Sequence, residues 1–303
     1  MKYATLSKNP HKFYRFTGIP LEVFNTIAHD LEPVWQEAEQ KRLSRPDRKR
    51  AIGGGGTYTL KDFKDKLLVA LFYYRLYLTY EVLQEFFGVH YANLNRLVNR
   101  MEPLLAKRIK PRMPKGLKKR IGSWEEFCEV YPDLVDIVID ATGQRLQKPK
   151  GERTQKKYYS GKHKAHMMKT QIAISRTKRI LSVSDSVPGA LHDYPLLQKS
   201  GFLSHLHHQI NTHVDLGYLG ADTDFPDHRW VMPKRKPRMK ELSGRDLKQN
   251  HQKASFRIIV EHVFAALKKF QILSQIYRNR RPTYHYKFQI VAGLYNLRLG
   301  CAA

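Results

Sequence analysis

Two aspartates stand where the sequence gives a charged side chain no obvious reason to be. Asp140 ends the β-branched run VDIVID, and Asp215 ends the segment THVD just before a turn at Gly217. A carboxylate in a buried strand is costly unless it is paired, hydrogen-bonded or bound to a metal ion. The carboxyl ends of strands are also where α/β sheets usually bind ligands. We therefore take Asp140 and Asp215 as candidates for a chemical site.

Glu261 is the third candidate. It lies in FRIIVEHVFAALKKF, whose apolar spacing predicts an amphipathic helix, and Arg257, Glu261 and Lys268 fall within roughly 40° of one another on its helical wheel. Three converging carboxylates would repel one another, and divalent cations such as Mg²⁺ relieve that repulsion because they prefer oxygen ligands. Two such ions about 4 Å apart support phosphoryl transfer. The alternative is that the aspartates cap turns and that Glu261 pairs with Arg257.

The charge balance indicates the partner. Lys and Arg total 54 against 27 for Asp and Glu, which gives a net charge of +27. Such self-repulsion suggests a polyanion, and bases dispersed through aromatic-rich, folded-looking sequence favour nucleic acid over a membrane surface. No apolar run approaches the ~18 residues of a membrane span, and the N-terminal segment lacks a signal-peptide core. With only Cys128 and Cys301, we expect neither a disulfide framework nor a cysteine zinc site, and a reduced intracellular compartment.

The elements that position the acids are predicted to form one α/β domain over residues 135–303. VDIVIDATG, MMKTQIAIS, RILSVSDS, NTHVDLGYLG and RWVMP read as strands, and the second and third of these form a hairpin. LHDYPLLQKSG reads as a short helix that ends at a glycine, and a last helix is predicted over residues 284–299. Strands followed by alternating helices indicate a sheet of mixed strand directions.

The preceding part is predicted to be all-helical. Residues 1–52 form an N-terminal helical segment and a basic linker that leads to a glycine joint at residues 53–56. Residues 57–104 form a helix-turn-helix, because two apolar-periodic segments flank Gly88. Residues 105–134 form a second basic linker, which can lie along phosphates.

The third helix of this region, predicted from Tyr91 to Met101, has a basic and amide-rich face. Arg96 and Arg100 lie on it together with three asparagines. Arg and Asn are the side chains that bind guanine and adenine edges bidentately. We therefore predict Arg96 and Arg100 as DNA-binding residues, with a plain small helical bundle as the alternative.

Five segments, in chain order, carry a family resemblance: IVIDATG, YYSGKHKAHMMKTQ, SVPGALHDYPLL, VDLGYLG and RIIVEHVFAALKKFQIL. They resemble the catalytic domain of bacterial insertion-sequence transposases of the DDE type, in a Harbinger-related subgroup with an Arg-x3-Glu-x6-Lys signature. Arg257, Glu261 and Lys268 match that spacing. The upstream helical region also resembles this family's helix-turn-helix.

The resemblance implies an RNase H-like fold and a metal-dependent reaction. Asp140, Asp215 and Glu261 are implied as catalytic and metal-binding residues for two Mg²⁺ ions, with Mn²⁺ as a substitute. Asp140 is implied to bridge both ions, and Asp215 and Glu261 to bind on either side. The implied reaction is attack of water on a phosphodiester at the transposon end, followed by attack of the freed 3′-hydroxyl on target DNA. Arg257 and Lys268 are implied to position Glu261 and to contact DNA phosphates.

The resemblance also implies partners and location. These are the double-stranded DNA of transposon ends and target, a homodimer or higher oligomer on that DNA, no membrane, and the nucleoid of a bacterial cytoplasm. Two positions depart from the family pattern: Ala254 stands where Tyr is frequent, and Leu216 where a basic residue is frequent. Neither is a metal ligand, so the departures bear on local DNA contacts and on the level of activity.

Two other functions share these features. One is a domesticated transposase that acts as a non-catalytic DNA-binding regulator, and the other is a metal-dependent nuclease without strand transfer. The intact set of three acids counts against the regulator.

Other polar residues receive structural interpretations. His192 and Asp193 are interpreted as the start of a helix, with Asp193 placed near the metals, and a catalytic pair is the alternative. The segment HLHH at residues 205–208 is interpreted as a solvated loop, since it offers histidines alone. Asp136 and Asp185 are interpreted as surface or strand-edge residues.

Overall fold

The computed structural model describes residues 1–44, 51, 58–113 and 123–301. The chain forms two compact units. The first comprises Met1–Lys110, Lys268–Gln275 and Gln289–Ala303, and the second comprises Pro111–Leu267 and Ile276–Phe288. The predicted glycine joint at residues 53–56 lies outside the described residues, as does part of the predicted second linker. Within the described ranges, no helix has the length and apolar character needed to cross a membrane.

The first unit is helical, as predicted. Its N-terminal part consists of α1 (Tyr3–Leu6), α2 (Pro10–Thr17), α3 (Leu21–Leu43), α4 (Phe63–Leu76), α5 (Tyr80–Phe87) and α6 (Tyr91–Ile109). The turn between α5 and α6 uses Gly88 at φ 63°, a left-handed conformation that glycine adopts without strain. The predicted apolar face of α6 is buried; it consists of Leu94, Leu97, Val98 and Met101.

Helix α6 is longer than the sequence predicted. It continues through Pro103 because Leu105 and Ala106 beyond it are buried, and this burial offsets the hydrogen bond that proline cannot donate. The segment predicted as a linker, residues 105–134, therefore begins within a helix. It also contains a further helix, α7 (Trp124–Val130).

The compact units divide the chain differently from the predicted boundaries. Helices α3 and α4, which the predicted boundary at residue 52 separates, lie in one unit and pack together. Most of the C-terminal helix α12 (Tyr284–Cys301) belongs to the same unit rather than to the predicted domain over residues 135–303. Gly293 of α12 lies against α6, since a Cβ there would come 2.1 Å from the carbonyl oxygen of Ile109. Apolar burial between distant segments sets this division.

The second unit contains the predicted mixed sheet. The strands are β1 (Asp136–Arg145), β2 (Tyr159–Ser160), β3 (Ala165–Ser175), β4 (Ile180–Val183), β5 (Val187–Pro188), β6 (Asn211–His213) and β7 (Trp230–Val231). Their order is β2-β3-β1-β6-β7, with β4 and β5 paired to β3. Strand β1 is antiparallel to β3 and parallel to β6, and β6 is parallel to β7. The helices of this unit include α8 (Glu152–Tyr158), α9 (Asp193–Ser200), α10 (Ala221–Asp224) and α11 (Gly244–Lys268).

A hydrophobic core holds β1 in place. Ile137 and Ile139 of β1 are fully buried and belong to a cluster with Phe127 of α7 and Leu197 of α9. Successive strand residues point to opposite faces, so Val138, between these isoleucines, faces the other way, and Asp140 shares its face. That second face of β1 carries the candidate site.

Candidate active site

Asp140 and Asp215 lie side by side because of the register of two parallel strands. Val138 of β1 pairs with His213 of β6, and the aspartates stand two residues beyond these partners. Side chains alternate between the two faces of a strand, so Asp140 lies on the same face as Val138, and Asp215 on the same face as His213. Asp215 keeps an extended backbone, with φ −91° and ψ −179°. Strand β1 continues past Asp140 to Arg145, two residues beyond the predicted strand, and its pairing with β6 stops at Val138.

Arg257 of α11 joins the two aspartates. Its Nη2 atom lies 3.7 Å from Asp140 Oδ2 and 3.7 Å from Asp215 Oδ2. The three side chains are 22%, 17% and 31% exposed, respectively, so this is a largely desolvated cluster rather than a surface ion pair. Arg257 therefore supplies the positive charge that two adjacent carboxylates require.

The environment of Asp140 favours its protonated form. Burial raises the pKa of Asp140 to about 6, and the negative charges of Asp215 and Asp193 add to the effect. The Ala141 N–H, which donates to Asp140 Oδ1 over 2.7 Å, opposes the rise in pKa, as does Arg257. A carboxyl with a raised pKa and like charges around it is typical of functional sites that bind a cation.

Asp193, interpreted from the sequence as a helix-start residue, is the third carboxylate beside the pair. A Cβ on Gly217 would meet both Asp215 Oδ1, at 2.8 Å, and Asp193 Oδ2, at 2.9 Å, so the two carboxylates flank the Gly217 main chain. Lys169 of β3 lies 2.8 Å from Asp193 Oδ1 and forms an ion pair with it. Asp193 does start α9, as predicted, and its side chain also belongs to the acidic cluster.

Tyr218 lies fully buried next to this cluster. Its hydroxyl donates to Gln171 Oε1 over 3.3 Å. Burial raises the pKa of Tyr218 well above its ordinary value, and the carboxylates of Asp140, Asp193 and Asp215 raise it further. The tyrosine hydroxyl is therefore kept neutral, and it adds no charge beneath the aspartates.

His213 of β6 links the strands to α11, because it contacts Asp136 of β1 and stacks on Phe256 of α11. His213 Nε2 lies 2.9 Å from Asp136 Oδ1, and Asn211 Nδ2 donates to the same oxygen over 3.1 Å. Phe256 of α11 stacks on the His213 ring, with 4.0 Å between ring centroids and 18° between ring planes. Burial lowers the pKa of His213, against the opposing effect of Asp136, so a neutral imidazole donates from Nε2. This stack anchors Phe256, which precedes Arg257 in α11. Asp136 is the first residue of β1, which agrees with the strand-edge interpretation, and it also contacts His213.

Glu261 and Lys268 are not part of the cluster in this conformation. Both are exposed on α11, and within the described residues Glu261 has no ion pair, not even with Arg257 one turn earlier. Across those same ranges, no group of three or more His, Cys, Asp or Glu side chains is placed to hold a metal ion. The donor chemistry still fits a divalent cation, since the clustered side chains offer carboxylate oxygens and burial disfavours the charged form of Asp140.

The candidate DNA-binding arginines differ in their surroundings. Arg96 is exposed and donates to Asn93 Oδ1 over 2.8 Å. Arg100 instead donates from Nη1 to both carboxylate oxygens of Glu39 in α3, over 2.7 and 2.9 Å, and its guanidinium stands 5.5 Å from the Trp35 ring centroid. Arg100 therefore has a structural partner that the helical wheel of α6 did not show, and its role as a DNA contact stays a prediction.

A mixed sheet that places two aspartates and an arginine beside one another, in a strongly basic chain, is an arrangement expected of enzymes that act on nucleic acid phosphodiesters. Residues 139–296 match the family described as DDE superfamily endonuclease, and residues 58–111 match the helix-turn-helix of DDE superfamily endonuclease. The chain belongs to this DDE superfamily endonuclease family. The match covers Asp140, Asp215 and Glu261.

Two relatives extend the similarity over most of the chain. The chain is 29% identical over 297 residues, 96% of each protein, to a protein from Microchaete diplosiphon named as a transposase for insertion sequence element IS702. It is 25% identical over 252 residues, 82% of this chain and 85% of the other, to a protein from Streptomyces albus G named as a transposase for insertion sequence element IS112. No solved structure matches the chain significantly.

Proposed function

We propose that this protein is a DNA transposase that binds the terminal inverted repeats of an insertion sequence and catalyses metal-dependent cleavage and strand transfer. The observation that carries the proposal is the pair of aspartates on neighbouring parallel strands with Arg257 between them. Family membership and the names of both relatives support the same reading.

Asp140 and Asp215 are proposed to hold the divalent ions, with Glu261 as the third ligand and Mg²⁺ as the native metal, replaceable by Mn²⁺. When bound, two such ions stabilise the attacking and leaving oxygens of a phosphodiester. Arg257 offsets part of the negative charge of the two aspartates before the ions arrive. Glu261 lies one turn after Arg257, about 6 Å further along the axis of α11. The long glutamate side chain can span part of that distance towards the aspartates. The Arg-x3-Glu-x6-Lys spacing supports its assignment.

DNA is proposed to bind through two features. The helix-turn-helix offers the exposed Arg96 for contacts to the transposon ends, with Arg100 available only if it leaves Glu39. Arg257 and Lys268 are proposed to contact phosphates near the cut. Joining two ends to one target requires two active sites, so we propose that a dimer or higher oligomer assembles on the DNA.

The test is an assay of nicking and joining on a labelled transposon-end duplex with Mg²⁺ or Mn²⁺. Asp140→Asn, Asp215→Asn and Glu261→Gln should each abolish cutting and leave duplex binding in EDTA largely intact. Asp185→Asn, at an exposed aspartate outside the cluster, is the matched control and should cut normally.

Each outcome separates the candidate functions. Joined product supports the transposase, nicking without joining supports a nuclease, and duplex binding with neither supports a regulator. Full cutting by Glu261→Gln, with loss of cutting in both aspartate variants, would remove Glu261 from the metal site.

A further inference from the structure

A cavity of about 470 Å³ lies next to the aspartates, and no step of the proposed reaction uses it. It is bordered on β1 by Ala141 and Gly143, so it begins one residue beyond Asp140. Its other walls are the turn after β2, a stretch of β3 and the loop that leads into α9. Its volume suits a ligand of nucleotide size.

The cavity wall is basic. Lys162 and His163 in the turn after β2 are exposed and, within the described residues, have no ion pair. Lys169 of β3 and His192 before α9 are the other basic side chains of the wall, and Asp193 is the one acid among its described residues. Because Asp193 is already paired with Lys169, the cavity retains an excess of positive charge, which favours an anionic ligand.

Lys169 is held in a fixed position. Its ammonium donates to the carbonyl oxygen of Leu191 over 2.8 Å and lies 2.8 Å from Asp193 Oδ1. An ammonium group has three N–H donors, so these contacts leave capacity for a ligand in the cavity. Since its side chain is only 21% exposed and already ordered, it loses little conformational entropy when it binds.

The loop that anchors Lys169 is built against β3. The Gly189 N–H donates to the carbonyl oxygen of Met167 over 2.8 Å. A Cβ on Gly189 would come 2.9 Å from that same oxygen, so only glycine allows this approach. This close contact brings the Leu191 carbonyl oxygen and the Asp193 carboxylate to the Lys169 ammonium, and both hold it in position. Asp193 is therefore a positioning residue for Lys169.

We propose that this cavity binds a phosphate of the DNA strand adjacent to the phosphodiester being cut, with Lys169 donating to the phosphate and Lys162 adding charge. The proposal rests on the proposed function, because it takes the strand that enters between Asp140 and Asp215 as its ligand. A backbone phosphate fits better than a small anion, since DNA repeats its charge at regular short intervals and the cavity borders the aspartates. The site adds substrate positioning next to the metal ligands.

The experiment measures equilibrium binding of transposon-end duplexes in EDTA, where no cutting occurs. Single methylphosphonates, which are uncharged, replace each phosphate near the end in turn. Lys169→Met keeps the side-chain length and removes the charge, and Lys199→Met on the exposed face of α9 is the matched control. Lys169→Met should bind about tenfold more weakly, the lower end of what a charge-assisted hydrogen bond contributes. Its salt dependence should fall by about 0.9 in the slope of log K against log salt.

The decisive result is coupling between protein and DNA. One methylphosphonate near the cut should weaken wild-type binding about tenfold and have no further effect in Lys169→Met. In Asp193→Asn, that same methylphosphonate should weaken binding less than it does in the wild type. In Lys169→Arg, which keeps the charge, it should again weaken binding, unlike in Lys169→Met. Additive losses at every position, or equal losses in Lys199→Met, would overturn the proposal.

The outcomes also separate this site from the proposed function. Coupling without any cutting in Mg²⁺ would refute the transposase and leave the phosphate site intact. Cutting and joining without coupling would refute the phosphate site alone. If Lys169→Met does not fold, Lys162→Ala at an exposed position tests the same coupling, and its absence there overturns the site.

Discussion

Replacing Asp140 by Asn should make the metal-free protein more stable at neutral and alkaline pH. The carboxylate is buried near two other acids, and these surroundings raise its pKa from the ordinary 3.8 to about 6. Asn keeps the shape of the side chain and can still accept the Ala141 N–H, yet it carries no charge to desolvate. A candidate catalytic residue that costs folding free energy is expected where function requires clustered charge.

The size of the effect follows from the shift in pKa. A rise of about two units corresponds to ~3 kcal/mol, since each unit is worth about 1.4 kcal/mol. A raised carboxyl pKa means that the folded state favours the proton, so this contribution to stability is complete below about pH 4 and is lost as the pH rises through about 6. Asp140→Asn should therefore match the wild type near pH 3.5 and exceed it by up to ~3 kcal/mol at pH 8.

The assay is chemical denaturation in EDTA over pH 3.5–8, with Asp185→Asn as the control for loss of an exposed carboxylate. The control should not reproduce the stabilisation at pH 8 that is expected for Asp140→Asn. Added Mg²⁺ should stabilise the wild type and not Asp140→Asn, so the difference in free energy of unfolding between them should become smaller. A variant that is equally or less stable at pH 8, or a difference that does not change with pH, would refute the reasoning about burial and like charge.

Two further pairs of variants test the helical unit. Arg100→Ala should lower the free energy of unfolding by ~1 kcal/mol because it removes the contact to Glu39, whereas Arg96→Ala should leave unfolding unchanged and weaken transposon-end binding in an anisotropy titration. Equal stability of both variants would contradict this division. Gly293→Ala should cost more than ~2 kcal/mol by forcing a methyl group onto the last turn of α6, whereas Gly300→Ala, which meets open space, should be neutral or stabilising in the same denaturation assay. Comparable losses in both glycine variants would count against the close helix contact.

Much of the second unit could be predicted because its signals are local. The β-branched run around Asp140 and the strands of the predicted hairpin correspond to β1, β3 and β4, and the segment that begins with LHDYP forms α9. The fold class, a helical region followed by a mixed sheet, is confirmed. The strand lengths were less accurate: β6 contains only three residues, and Asp215 caps a short 3₁₀ helix after it. Ends of elements depend on partners that the local pattern does not contain.

The arrangement of the site depends on long-range contacts, which local sequence patterns do not contain. Asp193 follows an ordinary helix-start pattern, and only the packing of its loop against β3 and Gly217 shows that it belongs beside Asp215. Arg100 reads as a solvent-facing residue on a helical wheel, until α3 brings Glu39 to it from 61 positions away. A periodic pattern reports which face is polar, and it does not report which distant element covers that face.

By itself, the sequence determined the chemistry that this protein has available: a strongly basic chain, a helix-turn-helix pattern, and aspartates in strands where a carboxylate is costly. These are properties of residue type and local spacing, so they can be read without coordinates. Only the tertiary structure decided which charges meet. It joined Asp140 and Asp215 through a parallel register and placed Arg257 between them, while Glu261 stayed exposed. Electrostatic energy depends on distance and burial, and both are set by contacts between segments that lie far apart in the chain.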